Sequence, residues 1–119
     1  MITQRLLSEI IDKDENAPVM VIFGGNPFRR DEVLQLIQNL SGITAYGVLS
    51  EEEGIQQLKT LPKIDLVLIG GRYTDEQRVR IRQYVNAHLP NAKTTEPGYD
   101  YPYQNAAIAA DIMKKLKTK

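Results

Sequence analysis

Two apolar runs, each closed by a pair of glycines, constrain this chain more than any other feature. The first is Val19-Met-Val-Ile-Phe23 before Gly24-Gly25, and the second is Ile64-Asp-Leu-Val-Leu-Ile69 before Gly70-Gly71. A strand with one wet face alternates apolar and polar residues, whereas an unbroken run belongs to a strand covered by helices on both faces. Helix-start chemistry follows each glycine pair. Asn26-Pro27 combines a side chain that caps exposed amides with a ring that sacrifices no hydrogen bond at the first helical position. Thr74-Asp-Glu-Gln77 has the spacing of a reciprocal capping box.

The remaining elements follow from spacing. Val33, Leu36, Ile37 and Leu40 form the apolar stripe of a helix that Gly42 ends. Thr44 to Leu49 reads as a strand weakened by Gly47. Ser50-Glu-Glu-Glu53 is a second capping-box pattern, with Ile55, Leu58 and Leu61 continuing it until Pro62. Gly54 costs that helix about 1 kcal/mol relative to Ala, so it is expected to be the weakest. Arg78-Val-Arg-Ile-Arg82 alternates with a period of two, but Ile81, Tyr84, Val85 and His88 restore helical spacing as far as Leu89-Pro90. Asn91 to Glu96 is short and polar, as an edge strand should be. Pro97 to Tyr103 is a loop with three tyrosines, and Ile108, Ile112, Met113 and Leu116 mark a last helix. Ahead of the first strand, Ile2, Leu6, Leu7, Ile10 and Ile11 recur at helical spacing behind Thr3, which predicts an amphipathic lead-in helix over residues 1–12.

A strand-helix unit repeated about four times predicts an α/β domain spanning residues 1–119, a three-layer α/β/α sandwich around a mainly parallel four-stranded sheet. Right-handed crossovers favour strand order 2-1-3-4. At 119 residues one core fills the chain. Fifteen Lys and Arg balance fifteen Asp and Glu, which leaves no net field to attract nucleic acid or an anionic membrane. The chain has no cysteine and one histidine. This excludes disulfides and thiolate chemistry, makes a metal cluster unexpected, and fits a cytoplasmic location. The N-terminal segment lacks the continuous apolar run of a signal peptide or membrane span.

In an open sheet of this kind the ligand crevice lies at the carboxyl ends of the strands, where the strand order reverses. Four loops converge there: Gly24 to Arg30, Ser50 to Glu53, Gly70 to Thr74, and Pro97 to Gln104. The candidate ligand-binding residues are Gly24, Gly25, Asn26, Arg29 and Arg30 from the first loop and Gly70, Gly71, Arg72 and Tyr73 from the third. Tyr99, Tyr101 and Tyr103 come from the fourth. Helix amides and arginines there suit a phosphate or carboxylate. The glycines serve equally to reverse the chain, because neither the dinucleotide fingerprint nor the phosphate loop with its lysine is present. The tyrosines either stack on a ligand or partner or fold back over the core.

Elsewhere the sequence reads as structure. Asp75 with Arg78 and Glu76 with Arg80 are spaced as surface pairs on a solvated helix face. His88 falls at a helix end, remote from the crevice. Glu51, Glu52 and Glu53 offset the dipole of a first helical turn. Only Glu96, Asp100 and the tyrosines offer proton chemistry near the predicted site.

The alternating pattern from Val19 to Lys117 resembles the receiver domain of response regulators, a flavodoxin-like fold. The resemblance implies a module whose phosphorylation chemistry has been lost. Gly24-Gly25-Asn26 stands where a receiver carries its acidic pair, and Gly70-Gly71 where it carries the phosphate-accepting aspartate. The receiver's Ser or Thr after its fourth strand matches Thr94 or Thr95, and its fifth strand with a lysine has no counterpart. The reading that follows is a non-catalytic module that binds a protein partner or itself, with a small anionic ligand at the crevice as a further candidate and no cofactor. An enzyme acting on a phosphorylated or nucleotide substrate, and a purely structural subunit, stand as the alternatives.

Overall fold

A computed structural model describes residues 8–117. At its centre lies β2 (Val19–Phe23), flanked in parallel by β3 (Thr44–Val48) and β4 (Leu66–Ile69), with Val21 opposite both Tyr46 and Val67. Outside β4 runs β5 (Lys93–Thr95), also parallel. Outside β3 runs a two-residue strand, β1 (Glu9–Ile10), which is antiparallel. The sheet therefore has five strands in the order β1-β3-β2-β4-β5, where the sequence predicts four. The four parallel strands stand within it as β3-β2-β4-β5.

The extra strand also corrects the expected lead-in helix. Residues 1–7 lie outside the described part, and from Ser8 onward the chain is extended instead of helical. The Gly47 amide donates to the Ser8 carbonyl at 2.7 Å, and the Asp12 carboxylate accepts from the Gly42 amide at 3.1 Å. The outer edge of β3 thus gains ladder partners that a helix would not have supplied. Ile10 packs on the core while Ile11 is 64% exposed, an alternation with strand periodicity.

Among the described residues there are four helices: α1 (Pro27–Leu40), α2 (Glu51–Thr60), α3 (Asp75–His88) and α4 (Asn105–Lys117). Side chains alternate across β2. Met20 and Ile22 join Leu34 and Ile37 of α1 and Ile108 and Ile112 of α4 in one core. Val21 and Phe23 join Leu58 of α2 and Ile81 and Val85 of α3 in the other. A sheet covered on both faces is the arrangement that the unbroken apolar strands require.

The helix starts follow their sequence signals. Asn26 Oδ1 accepts from the amides of Phe28 and Arg29, with Pro27 in the first turn. Ser50 Oγ accepts from the Glu53 amide, while Glu53 reaches back to the Leu49 amide at 2.7 Å. Thr74 and Gln77 form the reciprocal capping box. Gly54 has a packing reason for its place in α2. A Cβ there would lie 1.9 Å from the Phe23 ring, so the glycine lets the helix settle on the sheet.

Candidate functional site

Because β2 and β4 are neighbours, their two glycine turns leave the sheet side by side. The Gly70 amide donates to the Phe23 carbonyl at 2.8 Å, which joins the end of one strand to the end of the other. Beyond β2 the chain departs toward β3 on one side, while β4 continues the sheet on the other, so this is the point at which strand order reverses. A cavity of about 260 Å³ opens there. Its floor is apolar, formed by Ile22, Phe23, Val33 and Leu68 with the glycines of both turns. Its rim carries Asn26, Arg29, Arg30, Arg72 and Tyr103, and among the described residues no carboxylate lines it.

The three arginines are held differently. Arg29 is committed locally: its Nη1 lies 2.7 Å from Glu32 Oε2, and its guanidinium stands 4.5 Å over the Tyr103 ring. Arg30 runs its carbon stem over two glycines. A Cβ on Gly47 would lie 2.7 Å from Arg30 Cδ, and one on Gly24 would lie 3.2 Å from Arg30 Cβ. This accounts for a glycine inside β3, where it otherwise weakens a strand. Arg30 Nε is buried and donates to no partner. Arg72 rests against Gly25, where a Cβ would meet its own Cβ at 2.6 Å. It is exposed, and no ion pair or hydrogen bond engages its guanidinium among the described residues.

Nine of the twelve candidate residues line this cavity, and three tyrosines do not. Tyr73 turns to the opposite face of the sheet. It is 6% exposed, meets Phe23 edge-on at 6.1 Å, and donates to the Leu49 carbonyl at 3.1 Å. Burial, reinforced by the charges of Glu53 and Glu51, pushes its hydroxyl up to about 12. Tyr99 lies over the Arg78 guanidinium at 3.8 Å and donates to Asp75 Oδ1 at 2.8 Å. Tyr101 joins Thr95 at 2.5 Å, and Thr95 in turn donates to Asp111. Burial, then the charges of Asp111 and Asp100, push the Tyr101 hydroxyl up to about 12 against the pull of the Thr95 bond. The alternating tyrosines diverge because the loop turns at Gly98, whose φ of +89° suits glycine. Only Tyr103 reaches the cavity.

Arg78 is the residue that sequence reasoning misplaces. It is 1% exposed instead of solvated. Its Nη1 binds Glu96 Oε1 at 2.9 Å and its Nη2 binds the Gly70 carbonyl at 2.5 Å. The expected pairing with Asp75 is replaced by the Tyr99 hydroxyl on that carboxylate. Arg80 reaches across to Glu51 with two bonds of 2.7 Å. The signal for Arg78 was present: it stands three residues before Ile81 and seven before Val85, on the buried stripe of α3. Arg78 fixes the carbonyl that precedes Gly71-Arg72, and so holds one wall of the cavity from behind.

The other groups considered for proton chemistry lie elsewhere. Glu96 is buried between Arg78 and Arg82. Asp100 is exposed and outside the cavity lining. His88 is exposed at the end of α3, its ring 4.5 Å from that of Tyr84. Among the described residues no group of three or more His, Cys, Asp or Glu is arranged to hold a metal ion, and no helix is long and apolar enough to cross a membrane. Comparison with protein-family models, with curated proteins and with solved structures gives no match to this chain.

Proposed function

We propose that the protein is a non-catalytic binding module of three-layer, receiver-like and flavodoxin-like type that takes a small anionic ligand at the strand-end crevice. The observation that carries this reading is a cavity at the reversal of strand order with three arginines on its rim and, among the described residues, no carboxylate in its lining. Glu32 meets the charge of Arg29, whereas Arg30 and Arg72 have no ion pair among the described residues, and an anion supplies the counter-charge those two lack. The lining consists of arginine, asparagine, tyrosine, glycine and apolar side chains, a set that binds charge but places no group ready to accept a proton at neutral pH. Asp100 and Glu96, on which the competing enzymatic reading depends, lie outside the lining.

A protein partner that recognises the loaded rim belongs to the same proposal. Phe28, 67% exposed and next to Arg29 in the chain, supports it, since exposed aromatic rings anchor such contacts. The test is calorimetric titration and thermal shift with inorganic phosphate, sulfate and simple carboxylates. Saturating ligand at one hundred times its dissociation constant adds about 2.7 kcal/mol of stability. The expected shift disappears in Arg72→Ala. A flat response across the panel overturns the reading.

A further inference from the structure

Within the anion-binding reading, on which this step rests, we infer that the ligand is a small planar organic oxyanion, an aromatic carboxylate or phosphate monoester. Arg30 and Arg72 hold its head, and its ring lies beside Tyr103 on the apolar floor. Charge accounting assigns the head. Glu32 already neutralises Arg29, whereas Arg72 is unpaired among the described residues, and Arg30, which lines the cavity, has no ion pair there and a buried Nε without a partner. Two guanidinium forks match a carboxylate or phosphate, whose oxygens accept parallel hydrogen bonds.

The floor assigns the body. Ile22, Phe23, Val33 and Leu68 make the interior apolar, so an inorganic anion held by the same arginines leaves that surface uncovered, whereas a ring buries it. The Arg29 and Tyr103 pair, guanidinium over ring at 4.5 Å, presents a flat wall beside that floor. The volume sets the size. About 260 Å³ lies below the roughly 300–1,000 Å³ of drug-sized pockets, which suits a single ring with its head group and excludes a dinucleotide.

Gly47 and Gly24 act as specificity-determining positions through Arg30, since their missing side chains give its stem a channel. The experiment titrates the full-length protein with phenyl phosphate, benzoate, inorganic phosphate and neutral benzyl alcohol. Expected are binding of phenyl phosphate or benzoate at least tenfold tighter than inorganic phosphate, and no binding of benzyl alcohol. Whichever head group wins identifies the class. Arg30→Gln is expected to weaken the aromatic anion at least tenfold, and so is Gly47→Ala, which keeps every charge but displaces the Arg30 stem. Arg72→Gln, at an exposed site, gives the same loss in a variant that folds. Equal affinity for phenyl phosphate and inorganic phosphate overturns this inference while leaving anion binding intact. Binding of benzyl alcohol as tight as that of phenyl phosphate removes the role of the arginines, and no binding by any compound overturns both readings.

Discussion

Two arginine sites stand at the ends of adjoining strands and differ in how their charge is met. Around Arg78, a carboxylate, the Gly70 carbonyl and the Tyr99 ring enclose the guanidinium, and only Nε lacks a partner. Around Arg30 and Arg72, glycines support the carbon stems, both residues line the cavity, and no ion pair engages either among the described residues. Burial of a charge is tolerable when its hydrogen bonds and its counter-ion are supplied from within, so the first site reads as structure. The second has no counter-ion from within the described residues, and Arg72 is exposed to solvent, which is where the proposed anion would act. The two are mechanically joined, because Arg78 holds the Gly70 carbonyl at the root of the turn that carries Arg72.

The largest expected effect breaks the first site. Arg78→Met leaves the buried Glu96 with only the longer 3.5 Å contact to Arg82 and strands the Gly70 carbonyl, and loss of one partner from a buried pair costs about 3–5 kcal/mol. For a domain of this size the melting temperature should fall by roughly ten to twenty degrees. Denaturant unfolding checks it, with Arg72→Met as the control, expected to stay within about 0.5 kcal/mol of the parent as exposed substitutions do. If Arg78→Met costs under about 1 kcal/mol, the contrast between the two sites loses its structural half.

How much of this was legible in the sequence follows from where the information resides. The strands β2 and β4 and the three N-caps are local patterns, and each forms as its residues dictate. The cavity's position followed from topology, because parallel neighbours deliver their turns to one place. Strand β1 was not legible. Two residues carry no periodicity, and the spacing of Ile10 and Ile11 fits a helix until β3 offers them an unpaired edge. Arg78 was hidden by its charge, since its partner Glu96 lies eighteen residues away on another element. Tyr73 differs from Arg72 only by one step along the chain, yet that step carries it to the opposite face, a consequence of turn geometry that residue type does not reveal.

The second site is sharpened by ligand. Arg72→Ala should erase the stabilisation of about 2.7 kcal/mol that a hundredfold excess over the dissociation constant confers, with the unliganded melting temperature unchanged. A retained ligand shift would place the anion elsewhere. Alkaline titration probes the packing behind both sites. Tyr73 and Tyr101 hold their protons to about 12, against 10 for an unperturbed tyrosine. A raised value means that the folded state binds the proton more tightly. Their contribution is therefore complete below pH 10 and is lost as pH rises from about 10 to 12. Denaturation midpoints should fall across that window, and absorbance titration of Tyr73→Phe or Tyr101→Phe should lose one high-pH step. A midpoint that is flat from pH 10 to 12 would contradict the buried placement of both rings.

The smallest effect separates the ring of Tyr99 from its hydroxyl. The ring covers Arg78 at 3.8 Å, while the hydroxyl donates to Asp75 at the exposed start of α3. Tyr99→Phe keeps the ring and removes the hydrogen bond, which at a solvent-facing position should cost about 0.5–1 kcal/mol. Tyr99→Ala also removes the lid over the guanidinium and should cost more, by about the 0.5–2 kcal/mol that a cation over an aromatic face contributes. Unfolding free energies of the two variants decide the matter. If Phe and Ala are equally costly, the hydroxyl is what holds the loop and the ring only rests there. If Phe matches the parent and Ala does not, enclosure of the guanidinium is what distinguishes the closed arginine site from the open one.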